Sequence, residues 1–137
     1  MAREGRTGKR HAQIDTVLLG RNSVTIKTRI RQVADVSIVD LSGRITLGDG
    51  TKSLRETVQQ LLGDGQMRIL LNLGEVASID SAGIGELVAA LISARNRGAE
   101  LKLLKLTRKV HDAVQITKLY TVFDIADDEA AAIRSFK

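Results

Sequence analysis

Hydrophobic and polar residues alternate between positions 24 and 41, which is the pattern of half-buried β-strands. Val24, Ile26 and Ile30 share one side of a first predicted strand, and polar or basic residues occupy the other side. Residues 36–41 form a second predicted strand, and the short segment 33–35 turns the chain between the two. The pattern therefore predicts an antiparallel hairpin at the start of the fold.

Four later segments carry apolar residues at helical spacing. The predicted buried stripes are Leu54, Val58, Leu61 and Leu62; Ile84, Leu87, Val88, Leu91 and Ile92; Val110, Val114 and Leu119; and Ala132, Ile133 and Phe136. Thr107 is predicted to cap the third helix, and Asp127 or Asp128 the fourth. Gly63 and Gly98 follow the first two stripes, where glycine favours the end of a helix.

Short apolar runs at 67–73, 101–104 and 122–125 separate these helices and have the length of strands. The run at 67–73 is almost continuously apolar, which suits a central strand covered on both faces, and 74–80 is predicted to be a loop. Strands that alternate with helices form a mainly parallel sheet. The chain is therefore predicted to be an α/β domain over 23–137, with four helices and a mixed, mostly parallel sheet that begins with a hairpin.

The charge of the chain is concentrated at its amino-terminal end. The net charge is +5, yet residues 1–31 contain eight basic and two acidic side chains, and the remainder carries a net charge of −1. Residues 1–22 are predicted to be a basic, flexible extension, or alternatively a weak electrostatic contact for anionic partners. Aromatic residues make up only 2% of the chain, so no platform for stacking bases is expected and specific nucleic-acid binding is excluded.

Several other classes of protein are also excluded by the composition. The longest fully apolar stretch, at 87–92, is far shorter than the ~20 residues that span a bilayer, so no membrane insertion is expected. A secretory signal is not visible, and the expected location is the cytoplasm. The chain has no cysteine, and its two histidines, His11 and His111, have no partners at metal-ligand spacing.

No enzyme signature is present. The glycines at 48 and 50 precede Lys52, but the spacing is not that of a phosphate-binding loop, so no cofactor or catalytic residue is predicted. A small nucleotide-binding protein or enzyme is thus the weakest of three functional hypotheses.

One segment between a predicted buried strand and an amphipathic helix combines a serine with two glycines. It consists of Asp80, Ser81, Ala82, Gly83, Ile84 and Gly85. Ser81 is predicted to cap the helix, with its hydroxyl accepting a hydrogen bond from the amide near Ile84. The glycines remove side chains from the first turn and allow a neighbouring chain to approach closely. On spacing alone, a capped helix with a tight first turn is a sufficient explanation.

The same segment resembles the phosphorylation loop of STAS domains of the anti-sigma-factor antagonist family. The order of elements from 24 to 136 is also similar to that fold. The resemblance implies that Ser81 is phosphorylated by a partner that is both a serine protein kinase and an anti-sigma factor, with Asp80 beside it. Many members carry an acidic string after the second strand, and here Thr46 stands at the position of its aspartate. The implied partner-binding residues are Thr46, Asp80, Ser81, Ala82, Gly83, Ile84 and Gly85.

The leading hypothesis is therefore a non-enzymatic anti-sigma-factor antagonist. It would bind the kinase-type anti-sigma factor when unmodified and release it when Ser81 is phosphorylated, because a phosphate adds about −1.5 to −2 charge at neutral pH. The alternative is a STAS scaffold subunit of a signalling or membrane-transport assembly, in which Ser81 is never modified. The sequence leaves the oligomeric state open.

Overall fold

A hairpin begins the described part of the chain. In the computed structural model, which describes residues 26–136, β1 (Ile26–Val33) pairs antiparallel with β2 (Val36–Ile45). Ala34 turns the chain with a φ of 55°. The predictions for Val24 and for the extension at 1–22 concern residues outside the described range.

The remaining strands are parallel and alternate with helices. The sheet has the order β1-β2-β3-β4-β5, with β2, β3, β4 and β5 parallel. The further elements are α1 (Asp49–Gly63), β3 (Arg68–Ile79), α2 (Ser81–Asn96), β4 (Glu100–Leu104), α3 (Arg108–Ile116), a 3₁₀ helix (Leu119–Thr121), β5 (Ile125–Ala126) and α4 (Glu129–Ser135). The predicted α/β class, the initial hairpin, the mostly parallel sheet and the four helices are confirmed.

The sheet has an apolar core on each face, and the two cores differ in size. Helices α1, α2 and α3 pack on one face through the large cluster that includes Leu54, Leu87, Leu91 and Val110. The shorter α4 covers part of the other face, where Ala132 packs with apolar side chains of β2, β3 and β4. Thr107 caps α3 and Asp128 caps α4, as predicted.

Four details of the sequence prediction are wrong. The predicted loop at 74–80 instead continues β3 to Ile79, because β3 stays paired with β2 beyond Gly74 through two register shifts, each with one extra residue in β3. The last strand is Ile125–Ala126 rather than 122–125, and Leu119 lies in the 3₁₀ helix, because Lys118 ends α3 with a φ of 60°. Ile92 is 52% exposed, since helical geometry directs Leu91 rather than Ile92 towards the sheet.

Candidate functional site

The candidate site lies where β2 and β3 end side by side. Ile45 and Ile79 are register partners at the ends of these strands, and α1 and α2 begin within a few residues of them. The carboxyl ends of parallel strands are the usual location of binding sites in α/β sheets. The topology therefore brings the segment after β2, which contains Thr46, next to the segment after β3, which contains Asp80 and Ser81.

Asp80 holds these two segments together through its carboxylate. One oxygen, Oδ1, accepts a hydrogen bond from the Gly83 amide at 2.8 Å and caps α2. The other, Oδ2, accepts from the Leu47 amide at 3.0 Å, across to the turn between β2 and α1. The hydrogen bond from Leu47, and then the one from Gly83, lower the pKa of Asp80, because each donor favours the charged carboxylate.

The predicted capping role of Ser81 is wrong, because the cap of α2 is Asp80. A capping residue has an extended backbone and accepts from the amide three residues later, and Asp80 meets both conditions with φ −107° and ψ −175°. Ser81 is instead the first helical residue, and its side chain is exposed. Its hydroxyl makes no hydrogen bond to any residue of the described range, and Asp80 supplies the cap instead.

The two glycines of the first turn of α2 have different surroundings. A β-carbon at Gly83 would overlap the carbonyl oxygen of Ile45 and lie 2.6 Å from Cγ1 of Ile79. A β-carbon at Gly85 would meet nothing within 4 Å. Gly83 is therefore required for packing of α2 against the end of β2, whereas Gly85 leaves the surface one turn beyond Ser81 without a side chain.

The turn between β2 and α1 forms the other half of the site. Thr46 is half-buried and its carbonyl oxygen accepts from the Thr51 amide at 3.1 Å. Leu47 is 79% exposed, and Gly48 has a φ of 110°, which favours glycine. The structure thus gathers Thr46 and residues 80–85 at one end of the sheet, where Ser81 and Gly85 are exposed but Gly83 and Ile84 are buried. Sequence reasoning missed Leu47. The one signal that could have identified it is its position, as an apolar residue directly before the glycines at 48 and 50.

A second polar cluster, on the sheet face covered by α4, was also missed. Arg31 Nε and Nη2 donate to Asp40 at 2.6 and 2.9 Å, and Arg31 Nη1 and Nη2 donate to Glu129 at 3.1 and 2.8 Å. Asn72 Nδ2 also donates to Asp40, at 2.8 Å. Burial alone would raise the pKa of Asp40, but these hydrogen bonds outweigh it and lower that pKa. The hydrogen bonds from Arg31 likewise lower the pKa of Glu129.

Residues 26–136 contain neither a cluster of metal-ligating side chains nor a helix that could span a membrane. No group of three or more histidine or acidic side chains in this range is arranged to hold a metal ion. None of the helices in the same range has the length and apolar character needed to cross a membrane.

Comparison with protein families gives one match that covers most of the chain. A family model described as "Mlab, STAS domain" matches residues 28–124. This segment runs from β1 to the residue before β5 and contains the whole candidate site.

Solved structures of several proteins are similar to this chain. A candidate anti-sigma factor antagonist from Thermotoga maritima is 26% identical, with a TM-score of 0.71 over 77% of this chain and 90% of that one. The anti-sigma factor antagonist SpoIIAA in its unphosphorylated form is 18% identical, with a TM-score of 0.66 over 80% and 98%. The Bacillus cell fate determinant SpoIIAA in its phosphorylated form is 17% identical, with a TM-score of 0.62 over 80% and 99%.

A membrane protein also contains a domain with this fold. The murine anion transporter Slc26a9, in its inward-facing state, is 15% identical with a TM-score of 0.63, and the match covers 76% of this chain but only 18% of the transporter. At this identity the similarity concerns the fold alone.

Proposed function

The chain belongs to the STAS domain family, and from that premise we propose that it is an anti-sigma factor antagonist controlled by phosphorylation of Ser81. In this proposal, the unmodified chain binds a serine-kinase-type anti-sigma factor in the cytoplasm and thereby frees a sigma factor. The kinase activity of that partner phosphorylates Ser81, and the phosphorylated chain dissociates. The chain itself catalyses no reaction and needs no cofactor.

The observation that carries this proposal is the position of the Ser81 hydroxyl. It is exposed at the first residue of α2 and has no hydrogen-bonding role within the described fold, because Asp80 caps the helix. Gly85 leaves the surface beside it bare, so the active site of a kinase can approach closely. A serine whose only role was structural would be expected to hydrogen-bond to its surroundings.

The electrostatics of the site favour a switch that changes binding without unfolding the chain. A phosphate on Ser81 would lie at the amino terminus of α2, where the helix dipole and free amides stabilise an anion. A partner docked over Ser81 and Gly85 would instead have to bury that charge. Burying an unpaired charge at an interface costs several kcal/mol, which is enough to release the partner.

The comparisons support the coarser part of this proposal. The Thermotoga relative is described as a candidate anti-sigma factor antagonist, and SpoIIAA has been observed in both phosphorylation states. Thr46, Asp80, Ser81, Ala82 and Gly85 are proposed as the surface that contacts the anti-sigma factor, and Gly83 and Ile84 are buried beneath it. The assignment of Ser81 as the modified residue rests on its exposure and on its position in this surface.

Phosphate transfer tests the proposal directly. The chain is incubated with ATP and candidate serine-kinase anti-sigma factors, and its mass is then measured. We expect a gain of one phosphate, which is absent in Ser81→Ala and retained in the control Ser93→Ala, a serine further along the same helix. Binding of the partner should persist in Ser81→Ala and become insensitive to ATP.

Two results would contradict the proposal. One is phosphate transfer that continues in Ser81→Ala. The other is a stable assembly that forms with a partner and is unaffected by ATP, which would favour the scaffold subunit instead.

A further inference from the structure

The carboxylate of Asp80, the residue before Ser81, is hydrogen-bonded to both halves of the candidate site. Asp80 precedes Ser81 in the chain, and its two oxygens accept from amides in different segments: Gly83 in α2, and Leu47 in the turn between β2 and α1. The Asp80 amide also donates to the Ile45 carbonyl oxygen at 3.4 Å. No other side chain of the described residues hydrogen-bonds to the Leu47 amide.

We propose that Asp80 is a positioning residue that transmits phosphorylation of Ser81 to the turn carrying Leu47. In the unmodified chain, Asp80 fixes this turn and presents the Leu47 side chain to the partner. Phosphorylation draws Asp80 away from the Leu47 amide and releases the turn. The inference deepens the proposed function and rests on it, because it assigns a route by which that modification reaches the second half of the docking surface.

The physical basis is competition for the same amides between two neighbouring anions. A phosphate on Ser81 has three strong acceptor oxygens and lies at the first turn of α2, which also contains the Gly83 amide. The Asp80 carboxylate already occupies that amide, and it belongs to the residue directly before Ser81. Since like charges repel, the carboxylate and the phosphate do not share the helix terminus. The phosphate takes over the cap, and Asp80 turns towards solvent.

Leu47 gives this release a consequence for binding. Its side chain is 79% exposed beside the proposed phosphorylation site, so it is available as an apolar contact for the anti-sigma factor. Its position depends on the turn, which is held to α2 through Asp80 and to α1 by the hydrogen bond from Thr51 to Thr46. Loss of the hydrogen bond from the Leu47 amide to Asp80 removes this connection to α2. The partner then meets the phosphate and also loses an ordered apolar contact.

Hydrogen exchange of individual amides tests the route without any partner. Phosphoserine is installed at position 81 during synthesis of the full chain, so the result does not depend on a kinase. Asp80→Asn is the companion variant, because asparagine caps helices as well as aspartate but has a single acceptor oxygen. Asp128→Asn is the matched control, since Asp128 caps α4 through the Ala131 amide at 2.8 Å and accepts from no amide of another segment within residues 26–136.

We expect exchange of the Leu47 amide to accelerate about tenfold in both phosphoserine-81 protein and Asp80→Asn, the size expected for loss of one charge-assisted hydrogen bond. The Gly83 amide should stay protected in both, and Asp128→Asn should leave Leu47 unchanged. Unchanged Leu47 exchange in the phosphoserine protein would overturn the inference, as would equal acceleration in Asp128→Asn. Failure of the proposed function would appear separately, as absence of phosphate transfer in the kinase assay.

Discussion

At the scale of single residues, Gly83 and Gly85 lie two positions apart but differ in whether there is space for a side chain. Both lie in the first turns of α2, yet only Gly83 is in contact with the end of β2. We expect Gly83→Ala to lower the free energy of unfolding by about 1–3 kcal/mol or more, because the added methyl group would push against the Ile45 carbonyl, which belongs to the backbone. Chemical denaturation measures this loss.

Gly85→Ala is the matched control. Its β-carbon would lie in open space, and alanine is about 0.5–1 kcal/mol more favourable than glycine inside a helix, so this variant should be more stable than the parent chain. Equal destabilisation by both substitutions would show that α2 tolerates no side chain in its first turns, and that contact with Ile45 is not the cause.

At the scale of elements, the boundary between the buried and the exposed face of α2 falls between two adjacent residues. Leu91 is 3% exposed and packs in the main core, whereas Ile92 is 52% exposed. Leu91→Ala should therefore lower the free energy of unfolding by about 2–5 kcal/mol, the range for a leucine that leaves a cavity. Ile92→Ala removes a side chain of similar size and should cost less than about 1 kcal/mol, because about half of it is in contact with water and alanine is the better helix former. Similar losses in both variants would mean that α2 is rotated about its axis.

The elements could be predicted because their signals are local. Each buried stripe and each cap is recognised from a few neighbouring residues. The structure agrees with the stripes Leu54 to Leu62 and Val110 to Val114 and with the caps Thr107 and Asp128. The continuation of β3 to Ile79 could not be predicted in this way, because it depends on pairing with β2, which is distant in sequence, through two register shifts.

The candidate site, too, was predicted only in part. The string from Asp80 to Gly85 was visible in the sequence, and it does lie at the start of a helix. The capping residue was assigned to Ser81 rather than Asp80, because either side chain could cap and only the backbone angles decide between them. The link between Leu47 and Asp80 is a hydrogen bond between residues 33 positions apart, which no local pattern shows.

At the scale of the whole molecule, the first strand and the last helix are joined by ion pairs. Arg31 in β1 contacts Asp40 in β2 and Glu129 in α4, and Arg31 and Glu129 are 98 positions apart in sequence. The other end of α4 is held by Lys102, whose Nζ donates to the Ser135 carbonyl oxygen at 2.9 Å. These contacts hold α4 over the smaller apolar core, so loosening them should expose part of the sheet.

The ion pairs of Arg31 make the stability of the molecule depend on pH in a defined direction. The pKa values of Asp40 and Glu129 are lowered in the folded chain, so both carboxylates contribute stability above about pH 4–5, where the unfolded chain is also ionised. That contribution is lost as the pH falls and the carboxylates become protonated. Because Arg31, Asp40 and Glu129 are all partly exposed, the contribution of the Glu129 pair is expected to be about 1 kcal/mol rather than more.

Glu129→Gln tests this dependence, since glutamine keeps the shape of the side chain and removes its charge. Relative to the parent chain, the variant should lose about 1 kcal/mol of unfolding free energy at pH 7, and the difference should close towards zero at about pH 3. Denaturation at both pH values measures it. Glu56→Gln, at an exposed position of α1 that forms no ion pair within residues 26–136, should match the parent chain at both. A difference for Glu129→Gln that is equally large at the two pH values would show that the side chain acts through packing, and that its ion pair with Arg31 does not stabilise α4.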